Sequence, residues 1–306
     1  MKLDDTTFLP CALCGATDPV FLYRPVRSPG PIVRCANCGL VYVGRLEDTH
    51  ALIISGPVTS DCPPTILCSD KMQDLDGCWE MEPIAEKESE LPVVRLNAQQ
   101  MLKELSRLVP RPGRILDLGC ASGFFLAEAA ALGWEAYGLE PLAGHAVYAR
   151  AKFHLNITTD VLHDDTFPPD FFDAITAFQV FEHLPYPVQD LLRLVRCLKA
   201  NGAILIEVPR IDHWTVKLLE SRHRHFVQDH LFFFSVETLS AMATQCGLKL
   251  LRTFFPVRRM TIRHIIRCLC RILELNQVPV PSPLGDVVVP VYLRDVIAIV
   301  AQKPAD

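Results

Sequence analysis

The chain lacks any uncharged apolar run of about 18 residues, the length a helix needs to cross a bilayer, so no transmembrane helix is expected. Its start, MKLDDTTFLP, has no basic segment leading into an apolar one, so the expectation is a cytoplasmic protein without a secretory leader. A basic excess is missing too. Thirty Lys and Arg stand against 35 Asp and Glu, a formal charge of −5, which argues against a general nucleic-acid binder while leaving room for a local basic patch. Length is not scarce. With 306 residues, half of them apolar, the chain can bury a proper core without disulfide staples, and roughly two domains are expected. Cysteine is plentiful: there are 12, four of them in the first 38 residues. In a cytosolic chain, close cysteine pairs point to metal before disulfides.

Cys11-Ala-Leu-Cys14-Gly15 and Cys35-Ala-Asn-Cys38-Gly39 are two CxxC-Gly units separated by 20 residues. Each is a tight turn that converges two thiolates, and the following glycine allows a positive φ. Together they supply four sulfurs, the set that structural Zn²⁺ takes in a tetrahedron with no open position. Residues 20–23, 32–34 and 40–43 read as short strands, so residues 1–44 are expected to form a zinc ribbon held largely by its metal. Four free thiols or a redox CxxC are the competing readings. Residues 45–92 read as a linker or irregular segment whose Cys62, Cys68 and Cys78 match no metal spacing.

From Val93 onward, strand and helix alternate. Val94, Ala98, Met101, Leu105 and Leu108 mark a helix; 114–118 reads as a strand, 122–132 as a helix, 135–140 as a strand, 144–153 as a helix. Strands are expected near 156–159, 174–181 and 203–208, with a helix over 188–198 that Asn201-Gly202 closes. The fold class that follows is α/β, a parallel sheet with helices on both faces. Ligands in such sheets bind at the carboxyl ends of the strands, and Asp117, Gly119, Gly123, Glu140, Asp160, Gln179, Glu182 and His183 all fall there.

The turn Gly119-Cys-Ala-Ser-Gly123 lets backbone approach a ligand at a helix N-terminus. Phe124 stands where the dinucleotide fingerprint needs its last glycine, which disfavours NAD and FAD, and no Lys-[Ser/Thr] follows, which removes the P-loop reading. Glu140, 23 residues after Asp117, suits two ribose hydroxyls. A plain glycine turn with two solvent-facing acids is the alternative.

Ile115–Leu126 resembles the first motif of class I S-adenosylmethionine-dependent methyltransferases; Phe172–Leu184 and Leu194–Pro209 resemble their fourth-strand and fifth-strand motifs. His230-Leu-Phe-Phe-Phe-Ser235-Val-Glu-Thr-Leu239 is similar to the "HLxxFSxETL" segment of one subgroup, and the ribbon resembles one that precedes such domains in some sugar and small-molecule methyltransferases. The resemblance covers about residues 93–255 and implies a Rossmann-like seven-stranded sheet within a 93–306 domain. It implies that Asp117, Gly119, Ala121 and Gly123 line the methionine part of the cofactor, that Glu140 holds the ribose, that Asp160 and Val161 border the adenine, and that Phe178 and Gln179 flank the sulfonium. Ala121 stands where many members have glycine, and Ala200-Asn201 replaces the usual Pro-Gly. Relatives by reaction class place Glu and His after the fourth strand, either as a metal site or as a general base. The first pattern needs an acid at Gln179, which speaks against bound Mg²⁺; the second matches His183 as base with Glu182 in support.

The expected activity is methyl transfer to a small-molecule acceptor, a sugar or glycan precursor, with S-adenosylmethionine as cofactor and structural Zn²⁺ on Cys11, Cys14, Cys35 and Cys38. An RNA base methyltransferase guided by the ribbon and a non-catalytic zinc-binding scaffold are the alternatives; nucleic acid is disfavoured by the charge. The segment 210–234, rich in aromatics and in His213, His223, His225 and His230, reads as a lid or acceptor pocket, with a second metal site as the less favoured alternative. Residues 248–255 and 295–301 read as an antiparallel last pair of strands. Between them a basic helical insertion near 258–276 carries Arg259, Arg263, Arg267 and Arg271 at four-residue steps. Such a face can make peripheral membrane contact, but a packed helix with a solvated basic side is favoured.

Overall fold

The computed structural model describes residues 8–46, 53–55, 65–67, 84, 88, 90–272, 276 and 279–305. Cys62, Cys68, Cys78 and most of the expected linker lie outside the described residues. The N-terminal part forms an antiparallel meander of β1 (Pro19–Tyr23), β2 (Ile32–Cys35) and β3 (Val41–Val43). Short β4 (Ile53–Ser55) and β5 (Thr65–Leu67) pair as a hairpin.

The body begins with α1 (Leu91–Ser106), whose Val93, Ala98, Met101, Leu102 and Leu105 are buried at helical spacing. Then follow β6 (Arg114–Leu118), α2 (Phe124–Ala131), β7 (Glu135–Leu139), α3 (Ala143–Phe153), β8 (Asn156–Thr158), β9 (Phe172–Phe178), α4 (Pro187–Cys197) and β10 (Leu198–Pro209). After them come α5 (Trp214–Leu219), β11 (Phe232–Phe233), α6 (Val236–Gln245), β12 (Lys249–Phe254), β13 (Arg258–Thr261), α7 (Ile262–Ile272), β14 (Val288–Val291) and β15 (Val296–Gln302). Seven strands make one sheet in the order β12-β15-β10-β9-β6-β7-β8. Neighbours from β10 to β8 are parallel, and only β15 runs against both its neighbours.

Strand side chains alternate between faces, so a sheet buried on both sides carries two cores. Ile115, Ala174, Ala203 and Leu205 pack with Met101, Leu102 and Leu105 of α1, Leu126 of α2 and Ala146 of α3. Leu116, Ile175, Ile204 and Ile206 join Leu191 and Leu194 of α4 and Leu239 and Met242 of α6 on the other face. Helices on both faces of a mostly parallel sheet are the expected α/β class.

The N-terminal part is not a separate bead. Its Leu13, Val33, Leu40 and Tyr42 belong to the same buried cluster as the second face of the large sheet. From the body, β11 adds to it as a fourth strand, with Phe232 opposite Tyr42 and Phe233 opposite Val41.

Three local expectations need correction. The apolar run 174–181 is not all strand: β9 stops at Phe178 because Gln179 takes a left-handed φ of 56°, which turns the chain out of the sheet while Phe181 remains fully buried in a turn. Helix α4 ends at Cys197, and Leu198 already pairs with Phe172, so Asn201 (φ 61°) turns the chain within β10 rather than closing a helix. In the insertion, Arg258–Thr261 is a strand paired with Val288–Val291, and only Ile262–Ile272 is helix. Arg259 therefore lies in β13, not on the helix. Its guanidinium bonds Gln100, while Arg263 bonds the Val280 carbonyl and Asp286, so these two arginines are engaged internally and do not form a free basic stripe. The side chain of Arg271 lies outside the described residues. No helix among the described residues is long and apolar enough to cross a membrane.

The shared core makes a prediction. Tyr42 is 2 % exposed and its hydroxyl donates to the Leu9 carbonyl at 2.9 Å. Tyr42→Phe should cost about 1 kcal/mol for the lost hydrogen bond, and Tyr42→Ala about 3–5 kcal/mol. Urea unfolding followed by far-UV circular dichroism should show each loss in the transition of the whole α/β body. An unchanged main transition would mean the two parts fold independently.

Candidate functional site

Strand order reverses between β6 and β9: the chain moves from β6 to β7 and β8 on one side, then crosses to β9 and β10 on the other. The loops leaving β6 and β9 part there and open a crevice at the carboxyl ends. The loop after β6 is shaped by backbone. Gly119 (φ 67°) and Gly123 (φ 75°) are left-handed, and a Cβ would come within 2.6 Å of Val180 at the first and 2.8 Å of Leu155 at the second. Both positions therefore demand glycine twice over, for conformation and for space. Ala121 is also left-handed, at φ 45°, and a non-glycine residue there costs on the order of 1 kcal/mol. The bulky Phe124 fits because it packs against α3, with Phe153 at 5.4 Å and Tyr148 at 6.0 Å.

Glu140 follows β7 and is 5 % exposed. One carboxylate oxygen accepts from the Ala121 amide at 2.8 Å and the other from the Leu142 amide at 2.9 Å. It thus ties the glycine turn to the start of α3. Asp117, 3 % exposed on β6, accepts from Thr176 of β9 at 2.7 Å. Burial pushes Asp117 up to about 7; the Thr176 bond opposes this and the nearby Glu140 adds to it. Asp160, just beyond β8, is exposed and accepts from the Val161 amide at 2.7 Å.

Phe178 ends β9 in edge contact with Phe125, ring centroids 4.8 Å apart. Gln179 donates to Glu207 of β10 at 3.1 Å, and Arg258 pairs with the same carboxylate, which is 1 % exposed. Beyond Gln179, Glu182 is buried with its carboxyl pushed well up by desolvation, with Glu207 and Asp229 adding repulsion. Burial holds the His183 ring at about 4, and its Nδ1 sits 2.9 Å from the Asp229 carbonyl oxygen. His230 packs edge-on to His183 with centroids 4.7 Å apart. Neither carboxylate oxygen of Glu182 has a hydrogen-bond partner, so no hydrogen bond joins it to the His183 ring.

The four N-terminal cysteines converge. Sγ atoms of Cys11 and Cys38 are 3.4 Å apart, as are those of Cys14 and Cys35, and all four lie within 4.8 Å of one another. Sulfurs at about 2.3 Å from one tetrahedral Zn²⁺ would be about 3.8 Å apart, so the donor set and its spacing fit. Gly15 (φ 73°) and Gly39 (φ 79°) close the two turns with amides bonded to the Cys11 and Cys35 carbonyls. Burial pushes the Cys14 thiol up, but bonds from Asn37 and the Ala16 backbone outweigh it and bring it to about 6.

The structure thus brings Asp117, Gly119, Ala121, Gly123 and Glu140 together around one turn, and Phe178 and Gln179 across from it. Asp160 and Val161 sit at the end of β8. Three residues that meet here carry no role in the sequence reading: Ser122, whose hydroxyl lies 2.6 Å from His145 Nδ1; Thr176; and Glu207. His230, expected only as part of the 210–234 segment, packs beside His183. Glu207 had a signal, being the one charge inside the apolar run of β10.

Residues 94–253, just over half of the chain, match the family described as "Methyltransferase domain". A tRNA U34 carboxymethyltransferase of Hydrogenovibrio crunogenus is 27 % identical over 154 residues, 45 % of this chain and 45 % of that protein. A ubiquinone biosynthesis O-methyltransferase of Rhodopseudomonas palustris is 29 % identical over 97 residues, 30 % of this chain and 38 % of that protein. The chain spans less than half the length of these curated relatives. A solved S-adenosylmethionine-dependent methyltransferase of Thermotoga maritima, described as a possible histamine N-methyltransferase, is similar at 18 % identity and a TM-score of 0.48, covering 72 % of this chain and 96 % of its own.

Asp117 gives a test of the buried acid. Between about 4 and 7 the unfolded chain gives up this proton while the folded chain keeps it, so Asp117 makes stability fall as pH rises through that window and adds no further change above it. In Asp117→Asn the Thr176 bond survives and this dependence is gone. Urea midpoints from pH 4 to pH 8 should show the variant gaining on the wild type as pH rises, by a few kcal/mol in order of magnitude. A constant difference across the range would contradict the assignment.

Proposed function

Given that the chain belongs to the methyltransferase-domain family, we propose that it transfers a methyl group from S-adenosylmethionine to a small-molecule acceptor, a sugar or glycan precursor. The observation that carries this reading is Glu140, a buried carboxylate that clamps the glycine turn to the start of α3 at the switch point of the sheet. In this reading Glu140 holds the ribose hydroxyls. Asp117, Gly119, Ala121 and Gly123 line the methionine part, where two buried acids suit a ligand carrying positive charge. Asp160 and Val161 border the adenine, and Phe178 and Gln179 flank the sulfonium.

Bound S-adenosylmethionine supplies a methyl group on a sulfonium whose leaving group departs neutral. The protein's task is then alignment of the acceptor, together with removal of its proton where the acceptor is a hydroxyl or an enolisable carbon. Glu182 and His183 are the groups on the acceptor side. Burial holds the His183 ring at about 4, so it is neutral at physiological pH and a weak base. The sugar or glycan acceptor rests on the likeness of the ribbon to those of sugar-modifying relatives. A second reading, methylation of an RNA base, is favoured by the tRNA-modifying relative and opposed by the net charge of −5.

The four cysteines would hold Zn²⁺ as a closed site that supports the fold and takes no part in chemistry. Since Cys11 and Cys35 share the buried cluster of the body, stripping the metal should weaken more than the ribbon. Incubation with a strong chelator should lower the melting temperature of the whole chain by several degrees and release one zinc per chain bound by thiolate. An unchanged melting temperature after complete zinc loss would remove the structural role.

For the cofactor, calorimetry should show S-adenosylmethionine binding to the wild type and at least about tenfold weaker binding to Glu140→Ala, with the fold retained by circular dichroism. Binding by both proteins with equal affinity would exclude the role of Glu140. No binding to the wild type would exclude the enzyme.

A further inference from the structure

Glu182 follows β9 in a tight turn and is 1 % exposed, yet neither of its carboxylate oxygens has a hydrogen-bond partner. An unpartnered buried carboxylate is costly, and such a group in a native fold implies a missing partner. The Nδ1 of His230, also buried, is in the same condition. His183 is adjacent. One donor atom from each of Glu182, His183 and His230 lies within 4.8 Å of the others.

Both rings are held by neighbouring backbone. His183 Nδ1 faces the Asp229 carbonyl oxygen at 2.9 Å and the Asp229 carboxylate at 3.5 Å, which places its proton there and leaves Nε2 as the acceptor atom. The His230 ring is bonded by the backbone of His225, and its Nδ1 is the orphan. Carbonyl or carboxylate support on the far nitrogen of an imidazole is the usual arrangement behind a metal-bound histidine. The two segments are fixed to each other as well: the amides of Leu231 and Phe232 donate to the Glu182 carbonyl at 2.8 and 3.1 Å.

We infer that Glu182, His183 and His230 form a second metal site, for a borderline divalent transition cation. Donors at about 2.1 Å from one cation would sit about 3.4 Å apart in a tetrahedral arrangement, so the observed spread closes with small side-chain adjustment. Two imidazoles and one carboxylate suit Zn²⁺, Mn²⁺ or Fe²⁺; Mg²⁺ and Ca²⁺ take all-oxygen sets, and the neighbouring Gln179 supplies no further acid. The site stands on its donors alone, whether or not a methyl group is transferred beside it. Three protein ligands leave a coordination position open, and an oxygen of the acceptor is the donor that would complete it and lose its proton more readily there. His183 then serves as a ligand, since a lone pair held by a metal takes up no proton.

Co²⁺ loading of the full chain tests the site, because it distinguishes the two metal positions. Co²⁺ at the four cysteines carries intense thiolate charge-transfer absorption; Co²⁺ at Glu182, His183 and His230 carries only weak ligand-field bands. The expected result is a second equivalent in the wild type that adds ligand-field absorption without charge transfer. Its affinity should fall at least tenfold in Glu182→Gln and in His230→Gln, with the thiolate signature unchanged. Absence of a thiolate-free equivalent in the wild type overturns the site, as does its retention at unchanged affinity in both variants. Should either variant fail to fold, the wild-type spectrum decides.

Discussion

One topological constraint organises this molecule: the reversal of strand order between β6 and β9 in a sheet buried on both faces. Parallel strands need crossover helices, and those helices cover the faces, so a ligand meets the sheet at the loops of the strand ends. At the reversal the two neighbouring loops leave in opposite directions, and the space between them cannot be filled by either. Asp117 at the end of β6, Glu140 after β7, Gln179 after β9 and Glu207 near the end of β10 are therefore brought to one rim although they span 90 residues of sequence. The rim carries an unusual density of buried acid. A chain with this much desolvated carboxylate is under electrostatic stress that a cationic ligand would relieve.

The second dependency is the joint between the small N-terminal sheet and the body. Strand β11 is contributed by the body to the small sheet, and the turn after β9 is tied by its Glu182 carbonyl to the two amides at the start of that strand. The cysteine cluster, the β3–β11 pair and the Glu182–His183–His230 group are thus successive links along one path. A structural metal held by the four cysteines at one end would steady the segment that carries His230 at the other.

Much of this was legible in the sequence, for identifiable reasons. Strand–helix alternation is local, and the buried parallel strands betray themselves as short apolar runs such as Ile204–Ile206. The glycine turn was readable because Gly119 and Gly123 answer two requirements at once, and the paired CxxC-Gly units because a four-sulfur site has few sequence solutions. What escaped was long-range. Nothing near Arg258 announces that it pairs with Glu207, nor that residues 258–261 meet 288–291 as strands; a four-residue step of arginines looks helical until β13 and β14 pair. The end of β9 was misplaced because Gln179 is not a residue that advertises a left-handed turn. His230 belonged to a recognised segment, but its approach to Glu182 is created by the fold, across 47 intervening residues.

The central claim is that the crevice at the strand reversal delivers a methyl group to a small acceptor. Its most direct test is transfer of a labelled methyl group from S-adenosylmethionine, with the full chain incubated separately with a cellular small-molecule extract and with total RNA. Label appearing in the small-molecule fraction, in a sugar or glycan precursor, is the predicted result. Label confined to RNA would contradict the acceptor class, and no label in either fraction would contradict the claim itself.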